Sequence, residues 1–181
     1  MFSEEKATHM ASYLLIRRGG RMSYMKLLKL LYLAEREALV KWGESMSGDK
    51  FVSMPHGPVM SSTYDLIQGG NDIWGRFITS EANYEVSLKG GILEDDLDEL
   101  SLSETKILDR VFEGFGTMRR WEIVNYTHEH CKEWQDPDGS SFPIKTLDIL
   151  LAKGVSNDTA TALLQQGAEQ TQLKLMKQIL V

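Results

Sequence analysis

Apolar residues recur along most of the chain at steps of three and four residues, the spacing that places them on one face of an α-helix. This pattern predicts a first helix over residues 4–18, which ends at a glycine pair and carries two arginines in its last turn. It predicts a second helix that Ser23 caps and that ends near Trp42, closed by Gly43. Leucines surround so much of this second helix that we expect it in the middle of the core.

Patterns typical of strands occur at two places after the second helix. Residues 50–54 alternate between polar and apolar, which predicts a short extended stretch, and residues 77–80 and 84–88 flank a polar turn, which predicts a β-hairpin. Between these places lies the segment Pro55-His56-Gly57-Pro58. Because two prolines restrict the backbone there, we expect them to fix the start of the next helix, with Pro58 near its first turn.

The remaining sequence predicts more helices and one clear loop. A helix is expected to begin near Ser103 and end at Phe115, and Thr117 is expected to cap another. Residues 136–141 are the best candidate boundary, because proline, glycine and short polar residues concentrate there. We therefore predict a mainly α (α+β) fold with a compact helical domain and a small β-hairpin or short sheet over residues 1–140, and a C-terminal helical extension over residues 141–181.

The end of the predicted extension differs from the glutamine-rich helix that precedes it. Its last turns carry apolar residues at helical spacing, namely Leu173, Leu175, Met176, Ile179 and Leu180. An apolar end on a polar helix is expected to dock on another protein surface. A homo-oligomer formed through the C-terminal helix is therefore one predicted assembly.

Composition narrows the class of protein. The chain has 181 residues, of which 42% are hydrophobic and 25% charged, as in an ordinary globular domain. Its apolar runs are too short to cross a membrane, its first residues are too acidic for a secretory signal, and its single cysteine is compatible with a reducing compartment, so a cytoplasmic location is expected. The net charge of −6 opposes general binding to nucleic acid.

The charge is unevenly distributed along the chain. Residues 1–50 contain nine basic and six acidic side chains, whereas residues 51–181 contain eleven and twenty. Such an asymmetry can steer charged protein partners, and it suits protein recognition better than nucleic-acid binding.

Candidate catalytic and metal-binding residues do not form a recognisable motif. His128 and Cys131 lie three residues apart and would share a helix face, but no pattern supplies the further ligands that a structural zinc ion needs. The same pair could form a thiol nucleophile and a base, yet no family signature surrounds Cys131. The glycine pairs lack the lysine of a phosphate-binding loop. We therefore expect no catalytic residue, metal or cofactor.

Five segments carry a resemblance to a known family. They are Lys26-Leu27-Leu28-Lys29-Leu30-Leu31-Tyr32-Leu33-Ala34, Pro55-His56-Gly57-Pro58-Val59, Tyr64-Asp65-Leu66-Ile67, Thr127-His128 and Trp134. In this order they resemble the Panacea domain, also called the SocA-like antitoxin domain, over roughly residues 5–140. The Pro55-His56 pair departs from the bulky or aromatic residues expected before the Gly-Pro of that family.

The resemblance implies a mainly helical domain, found in bacteria, phages and mobile elements, that binds and neutralises a toxin encoded beside it. It implies no catalytic residue, and one family member hands its toxin to a protease. Signature residues with a structural role would be Lys29, Leu30, Gly57, Pro58, Thr127 and His128. Aromatic and arginine side chains supply much of the affinity in protein interfaces, so the candidate partner-binding residues are Tyr32, Arg36, Tyr64, Trp74, Arg119 and Trp134.

The residues also allow structural interpretations. Tyr32 and Tyr64 lie on apolar helices, where a tyrosine is often a core ring with a satisfied hydroxyl group, and His128 is expected to bridge groups inside the core. Three functions stay open: an antitoxin that inhibits its toxin by direct binding, an adaptor that delivers a toxin to an ATP-dependent protease, and a DNA-binding regulator that uses residues 17–21. The acidic net charge opposes the third, and no membrane partner is expected.

Overall fold

The computed structural model describes residues 1–179, together with their side chains except those of Lys174, Lys177, Gln178 and Ile179. The predicted docking turn at the C-terminus therefore falls partly outside the described residues, because it includes Leu180 and the side chain of Ile179.

Eight α-helices form most of the fold within residues 1–179, and the predicted mainly α, α+β class is confirmed. Helix α2 lies in the middle, where it packs against five of the other helices, and its side chains fill the centre of the core. The helices are α1 (Glu4–Arg18), α2 (Tyr24–Trp42), α3 (Ser61–Gly69), α4 (Asp72–Phe77), α5 (Leu102–Phe115), α6 (Arg120–His130), α7 (Thr146–Ala152) and α8 (Asn157–Ile179).

Local capping explains where the helices begin and end. Helix α1 has the predicted bounds, because the Ser3 hydroxyl group accepts a hydrogen bond from the Lys6 amide and Gly19 ends the helix in the left-handed conformation. Gly43 ends α2 in the same way, as predicted. Ser23 is the N-cap residue of α2, but its side chain makes no capping hydrogen bond to the described residues.

Of two later helix starts, one agrees with the prediction and one needs correction. Helix α5 begins at Leu102, next to the predicted start at Ser103, where Ser101 and Glu104 exchange hydrogen bonds in a capping box. Helix α6 is preceded by Arg119 rather than capped by Thr117, because the Glu122 side chain accepts a hydrogen bond of 2.6 Å from the Arg119 amide.

Two small antiparallel sheets flank the helices. The first has the order β1 (Arg21–Ser23), β5 (Glu85–Leu88), β4 (Ile78–Glu81), and it contains the predicted hairpin. The second has the order β3 (Gly57–Met60), β2 (Phe51–Met54), β6 (Phe142–Ile144), so the extended stretch predicted near residue 51 is confirmed. Strand β6 brings the segment after residue 140 into the same sheet as β2.

The helix predicted to start near Pro58 starts later. Residues 57–60 form a strand because Val59 lies opposite Val52 in an antiparallel pair, and the chain reverses at Gly57 with φ +96°. The helix begins at Ser61, where the buried Asp49 carboxylate accepts hydrogen bonds from the Ser62 and Thr63 amides at 2.9 and 2.8 Å. An anionic oxygen at this position satisfies the free amides of the first turn.

A second buried carboxylate fixes the chain between α2 and β2. Glu35 accepts hydrogen bonds from the Met46 and Ser47 amides at 2.7 and 2.8 Å. Buried carboxylates are stable only when such donors surround them. The two carboxylates together set the position of β2, and hence of the turn that connects it to β3.

Candidate functional site

The turn between β2 and β3 lies against α2 and α6, and it brings distant parts of the sequence together. The ammonium group of Lys29 donates a hydrogen bond of 2.9 Å to the carbonyl oxygen of Pro58. A Cβ atom added to Gly57 would lie 2.7 Å from the Thr127 hydroxyl oxygen, 3.1 Å from Lys29 Nζ and 3.3 Å from the His128 ring. Only glycine fits this contact, and its positive φ adds a second requirement for glycine.

Five of the six predicted signature residues therefore meet at one place, which we call the signature cluster: Lys29, Gly57, Pro58, Thr127 and His128. The sixth, Leu30, is fully buried on α2. The sequence separates these residues by up to a hundred positions, so only the tertiary fold connects them.

His128 and Trp134 extend the signature cluster toward β2. Their rings are stacked with centroids 4.2 Å apart, and the indole N–H of Trp134 donates a hydrogen bond of 2.9 Å to the carbonyl oxygen of Met54. The buried Nε2 atom of His128 has no hydrogen-bond partner among the described residues. Burial, together with the nearby Lys29 ammonium group, lowers the pKa of His128, which favours the neutral ring at physiological pH.

Lys29 is an unusual lysine. Its side chain is buried, with an exposed fraction of 1% for the residue, and no described carboxylate forms an ion pair with it. Burial lowers the pKa of Lys29 to about 7. Near physiological pH, Lys29 can therefore be either protonated or neutral.

A narrow cleft opens beside the signature cluster. Its volume is about 70 Å³, and its lining combines apolar walls with the Lys29 side chain: Tyr24, Met25, Leu28, Lys29, Met54, Pro55, His56, Gly57, Val59 and Tyr64. None of these lining residues is acidic. The cleft can therefore accept an apolar or anionic group without like-charge repulsion.

A group of exposed and partly buried side chains borders the cleft at His56. We call it the Trp121 patch; its members are His56, Arg119, Arg120 and Trp121. The His56 and Trp121 rings meet edge to face with centroids 5.5 Å apart, and the Arg120 guanidinium lies 5.0 Å from the centre of the Trp121 ring. Trp121 is 49% exposed, although a large indole is costly to leave in water.

Trp121 was not among the partner-binding residues predicted from the sequence. A usable signal was present, because Trp121 lies off the face of α6 that carries the buried side chains of Ile123, Val124 and Thr127. The pairing of Trp121 with His56 had no such signal, since it depends on how the β2–β3 turn packs.

The predicted partner-binding residues occupy two kinds of position. Tyr64 lines the cleft, Trp134 is bonded to the cleft residue Met54, and Arg119 belongs to the Trp121 patch. Trp74 is buried with an exposed fraction of 2%, and Tyr32 and Arg36 are also buried. Side chains in that state contact the protein interior rather than a partner at the surface.

Glu133 explains why Tyr32 and Arg36 are buried. Its carboxylate accepts a hydrogen bond of 2.7 Å from the Tyr32 hydroxyl group and bonds of 2.7 and 3.0 Å from the Arg36 guanidinium. Burial and the Glu133 carboxylate together raise the pKa of Tyr32, so this hydroxyl group keeps its proton. The three side chains form a closed polar network inside the core.

The candidate nucleophile and metal ligands of the sequence are not arranged for either role among the described residues. Cys131 is buried, and burial raises the pKa of its thiol to about 12, which disfavours the nucleophilic thiolate. Among the described residues, no group of three or more histidine, cysteine, aspartate or glutamate side chains is arranged to hold a metal ion.

The arginines on which a DNA-binding function would depend are partly engaged. Arg17 forms hydrogen-bonded ion pairs of 2.7 Å with both Asp109 and Glu94, and Arg21 pairs with Glu85 at 2.5 Å. Carboxylates in these positions reduce the positive potential that phosphate groups would require.

Comparison with models of protein families identifies a match for this chain. The family model described as "Antitoxin SocA-like, Panacea domain" matches residues 27–135, which is more than half of the chain and includes the signature cluster and the Trp121 patch. No curated protein and no solved structure is similar enough to count as a match. Among the described residues, no helix has the length and apolar character required to span a bilayer.

Proposed function

The chain belongs to the SocA-like Panacea antitoxin family, and from this premise we propose that it is an antitoxin that neutralises its cognate toxin by direct protein–protein binding. The family implies an antitoxin-like function and suggests a toxin as the partner and a non-enzymatic role. We propose that this neutralisation occurs by direct binding of the toxin.

The observation that carries the proposal is the Trp121 patch beside the cleft. Tryptophan, tyrosine and arginine are the residue types that dominate binding energy in protein interfaces. Here the exposed Trp121, with Arg120 over its ring, contacts His56, and His56 lines the cleft together with Tyr64, all within the region that the family match covers. We therefore assign the toxin-binding surface to this side of the molecule.

Co-expression with the product of the neighbouring gene tests the proposal. That product is expected to arrest growth when expressed alone, to be harmless when co-expressed, and to co-purify with this chain as a stable complex. A neighbour that is harmless alone, together with the absence of a complex, would count against the antitoxin function.

A pair of variants tests the surface. Trp121→Ala is expected to weaken the complex by about 2 kcal/mol, close to thirtyfold in affinity, as for a central interface aromatic. Leu102→Ala is the matched control, because Leu102 is also a large, exposed, apolar residue. It is the first residue of α5, whereas Trp121 follows the last residue of that helix by six positions. Equal affinities of the two variants for the toxin would show that the toxin does not bind at the Trp121 patch.

A protease adaptor is the second candidate function, and the end of α8 favours it. Leu173, Leu175 and Met176 are exposed on a helix whose earlier residues contact the body, for example at Thr171, which donates a hydrogen bond to Glu44. Removal of residues 172–181 is expected to prolong the half-life of the bound toxin in cells without weakening its binding. An unchanged half-life would reject delivery to a protease.

A further inference from the structure

Lys29 has more hydrogen-bonding capacity than the fold uses. An ammonium group carries three N–H donors, and the Pro58 carbonyl oxygen is the acceptor that the described residues provide. Lysines are almost never fully buried unless they are paired, because removing a charge from water is costly. The fold therefore keeps a desolvated amine without an anion beside it.

The cleft is bounded by the side chain that carries this amine, and its size limits what can enter. Lys29 is part of its lining, and its volume is about 70 Å³. Pockets for small-molecule ligands usually enclose about 300–1,000 Å³, so a complete metabolite does not fit. A single carboxyl-bearing side chain does fit, since the apolar walls of Tyr24, Met54 and Tyr64 can cover its methylene groups.

The surroundings of the cleft favour a polypeptide that carries this carboxylate. His56 belongs both to the lining and to the Trp121 patch, whose arginines are positively charged. No carboxylate is among the lining residues; Glu122 accepts a hydrogen bond from the Arg119 amide at the start of α6, and Asp136, which also lies outside the lining, acts on His128. A positive, aromatic border around a neutral opening attracts an acidic protein segment.

We infer that the cleft receives one aspartate or glutamate side chain of the bound toxin, whose carboxylate pairs with the Lys29 ammonium group while the residues next to it pack on His56 and Trp121. This inference rests on the proposed function, because it identifies the chemistry by which the toxin is recognised. The Lys29 ammonium group keeps its hydrogen bond to the Pro58 carbonyl oxygen, and its other N–H groups donate hydrogen bonds to the carboxylate.

The lowered pKa of Lys29 agrees with such a site. Without a partner, burial opposes the charged form, whereas a carboxylate in the cleft would favour it. The titratable groups that face Lys29 are His56 on the turn, His128 on α6 and Cys131 beyond it. Because none of these groups is a carboxylate, the incoming carboxylate supplies the missing negative charge.

The first experiment uses a probe of the site alone. N-acetyl-aspartate N-methylamide is titrated into the full chain with isotope-labelled lysines, and the NMR signals of the lysine side chains are recorded. We expect the Lys29 signal to shift with saturation in the millimolar range, and the asparagine analogue, which is uncharged, to leave it unchanged. Equal effects of the two probes, or no shift of Lys29, would overturn the inference.

The second experiment uses the toxin complex with two matched variants. Lys29→Met removes the amine, and Lys26→Met removes the other buried lysine of α2, which is bonded to the Gly116 carbonyl group and does not line the cleft. We expect Lys29→Met to lower the affinity for the toxin at least about thirtyfold, the usual cost of losing one partner of a buried ion pair, and Lys26→Met to leave it within about threefold.

The outcomes separate the two proposals. If the complex forms and Lys29→Met binds as tightly as the unaltered chain, the carboxylate site is refuted while the antitoxin function stands. If no complex forms with the neighbouring gene product, the antitoxin function fails, and the aspartate probe still decides whether the cleft binds a carboxylate.

Discussion

At the scale of single residues, three buried ionisable groups organise the interior. Glu35 and Asp49 are surrounded by backbone amides, and Glu133 is paired with Arg36. Glu35 and Asp49 each join a helix or strand to a segment within fifteen residues, whereas Glu133 joins α2 to a segment almost a hundred residues later. Pattern-based reasoning predicted Tyr32 and Arg36 correctly as members of a helix but had no signal for Glu133, because a glutamate in a polar segment ordinarily faces water.

Loss of the Glu133 carboxylate is expected to be costly. Glu133→Ala leaves the Arg36 guanidinium buried without its counter-charge, and breaking a buried pair in this way costs about 3–5 kcal/mol of unfolding free energy. Glu85→Ala is the control, because the pair of Glu85 with Arg21 is partly exposed and contributes about 1 kcal/mol or less. Urea unfolding measures both, and equal losses would contradict the buried role.

Lys29 is expected to make stability depend on pH. Its pKa is about 7 in the folded chain and near its ordinary value of 10.5 in the unfolded chain, so above pH 7 the unfolded chain binds the extra proton. The free energy of unfolding therefore rises with pH from about 7 to 8.5, by at most about 1.4 kcal/mol per unit.

The difference between the unaltered chain and Lys29→Met isolates this contribution. The variant should gain most in relative stability near pH 7, and its advantage should shrink toward pH 8.5. Chemical unfolding at several pH values measures the difference. If the free energy of unfolding changed equally with pH in the two proteins, Lys29 would have to be charged in both the folded and the unfolded state.

At the scale of elements, local signals predicted some boundaries and tertiary pairing decided others. Helix α1 was predictable because Ser3, its two first-turn acids and Gly19 all lie next to it in the sequence. Strand β3 was predicted as helix because its conformation depends on Val52, which lies on another strand. Strand β6 had no signal at all, since it has three residues and its partner lies about ninety positions earlier.

The β2–β3 turn offers a sharp test of its packing. Gly57→Ala and Gly19→Ala both place a Cβ atom at a positive φ, which costs about 1–2 kcal/mol. The added atom at Gly57 also meets the Thr127 hydroxyl oxygen at 2.7 Å, whereas nothing lies within 4 Å at Gly19. We expect Gly57→Ala to lose about 1–3 kcal/mol more than Gly19→Ala in thermal or urea unfolding. Equal losses would mean that the turn is loosely packed.

At the scale of the whole molecule, the chain after residue 140 has two parts with different relations to the body. Strand β6 pairs with β2, and the α7 residues Ile149 and Leu150 are fully buried, whereas Leu173, Leu175 and Met176 on α8 are exposed. The signature cluster could be assigned to a family from sequence, but its geometry could not, because Lys29, Gly57 and His128 meet only after three elements have packed.

Two truncations are expected to differ strongly. Removal of residues 172–181 takes away the exposed side chains of Leu173, Leu175 and Met176 and should change the melting temperature by no more than a few degrees. Removal of residues 141–181 also deletes β6 and the buried residues of α7, at about 2–5 kcal/mol for each large apolar side chain lost from the core, and should prevent folding. Circular dichroism during heating measures both, and a stable product from the longer deletion would refute this packing.

The pairing of β2 with β6 has a consequence during synthesis on the ribosome. About ninety residues separate the two strands, so β2 waits roughly 5–18 s for its neighbour at translation rates of about 5–20 residues per second. Until then, one edge of β2 has no neighbouring strand and can pair with a strand of another polypeptide. The nascent polypeptide therefore completes the sheet that carries the β2–β3 turn late, and a message that is cut short before codon 142 yields a product without β6.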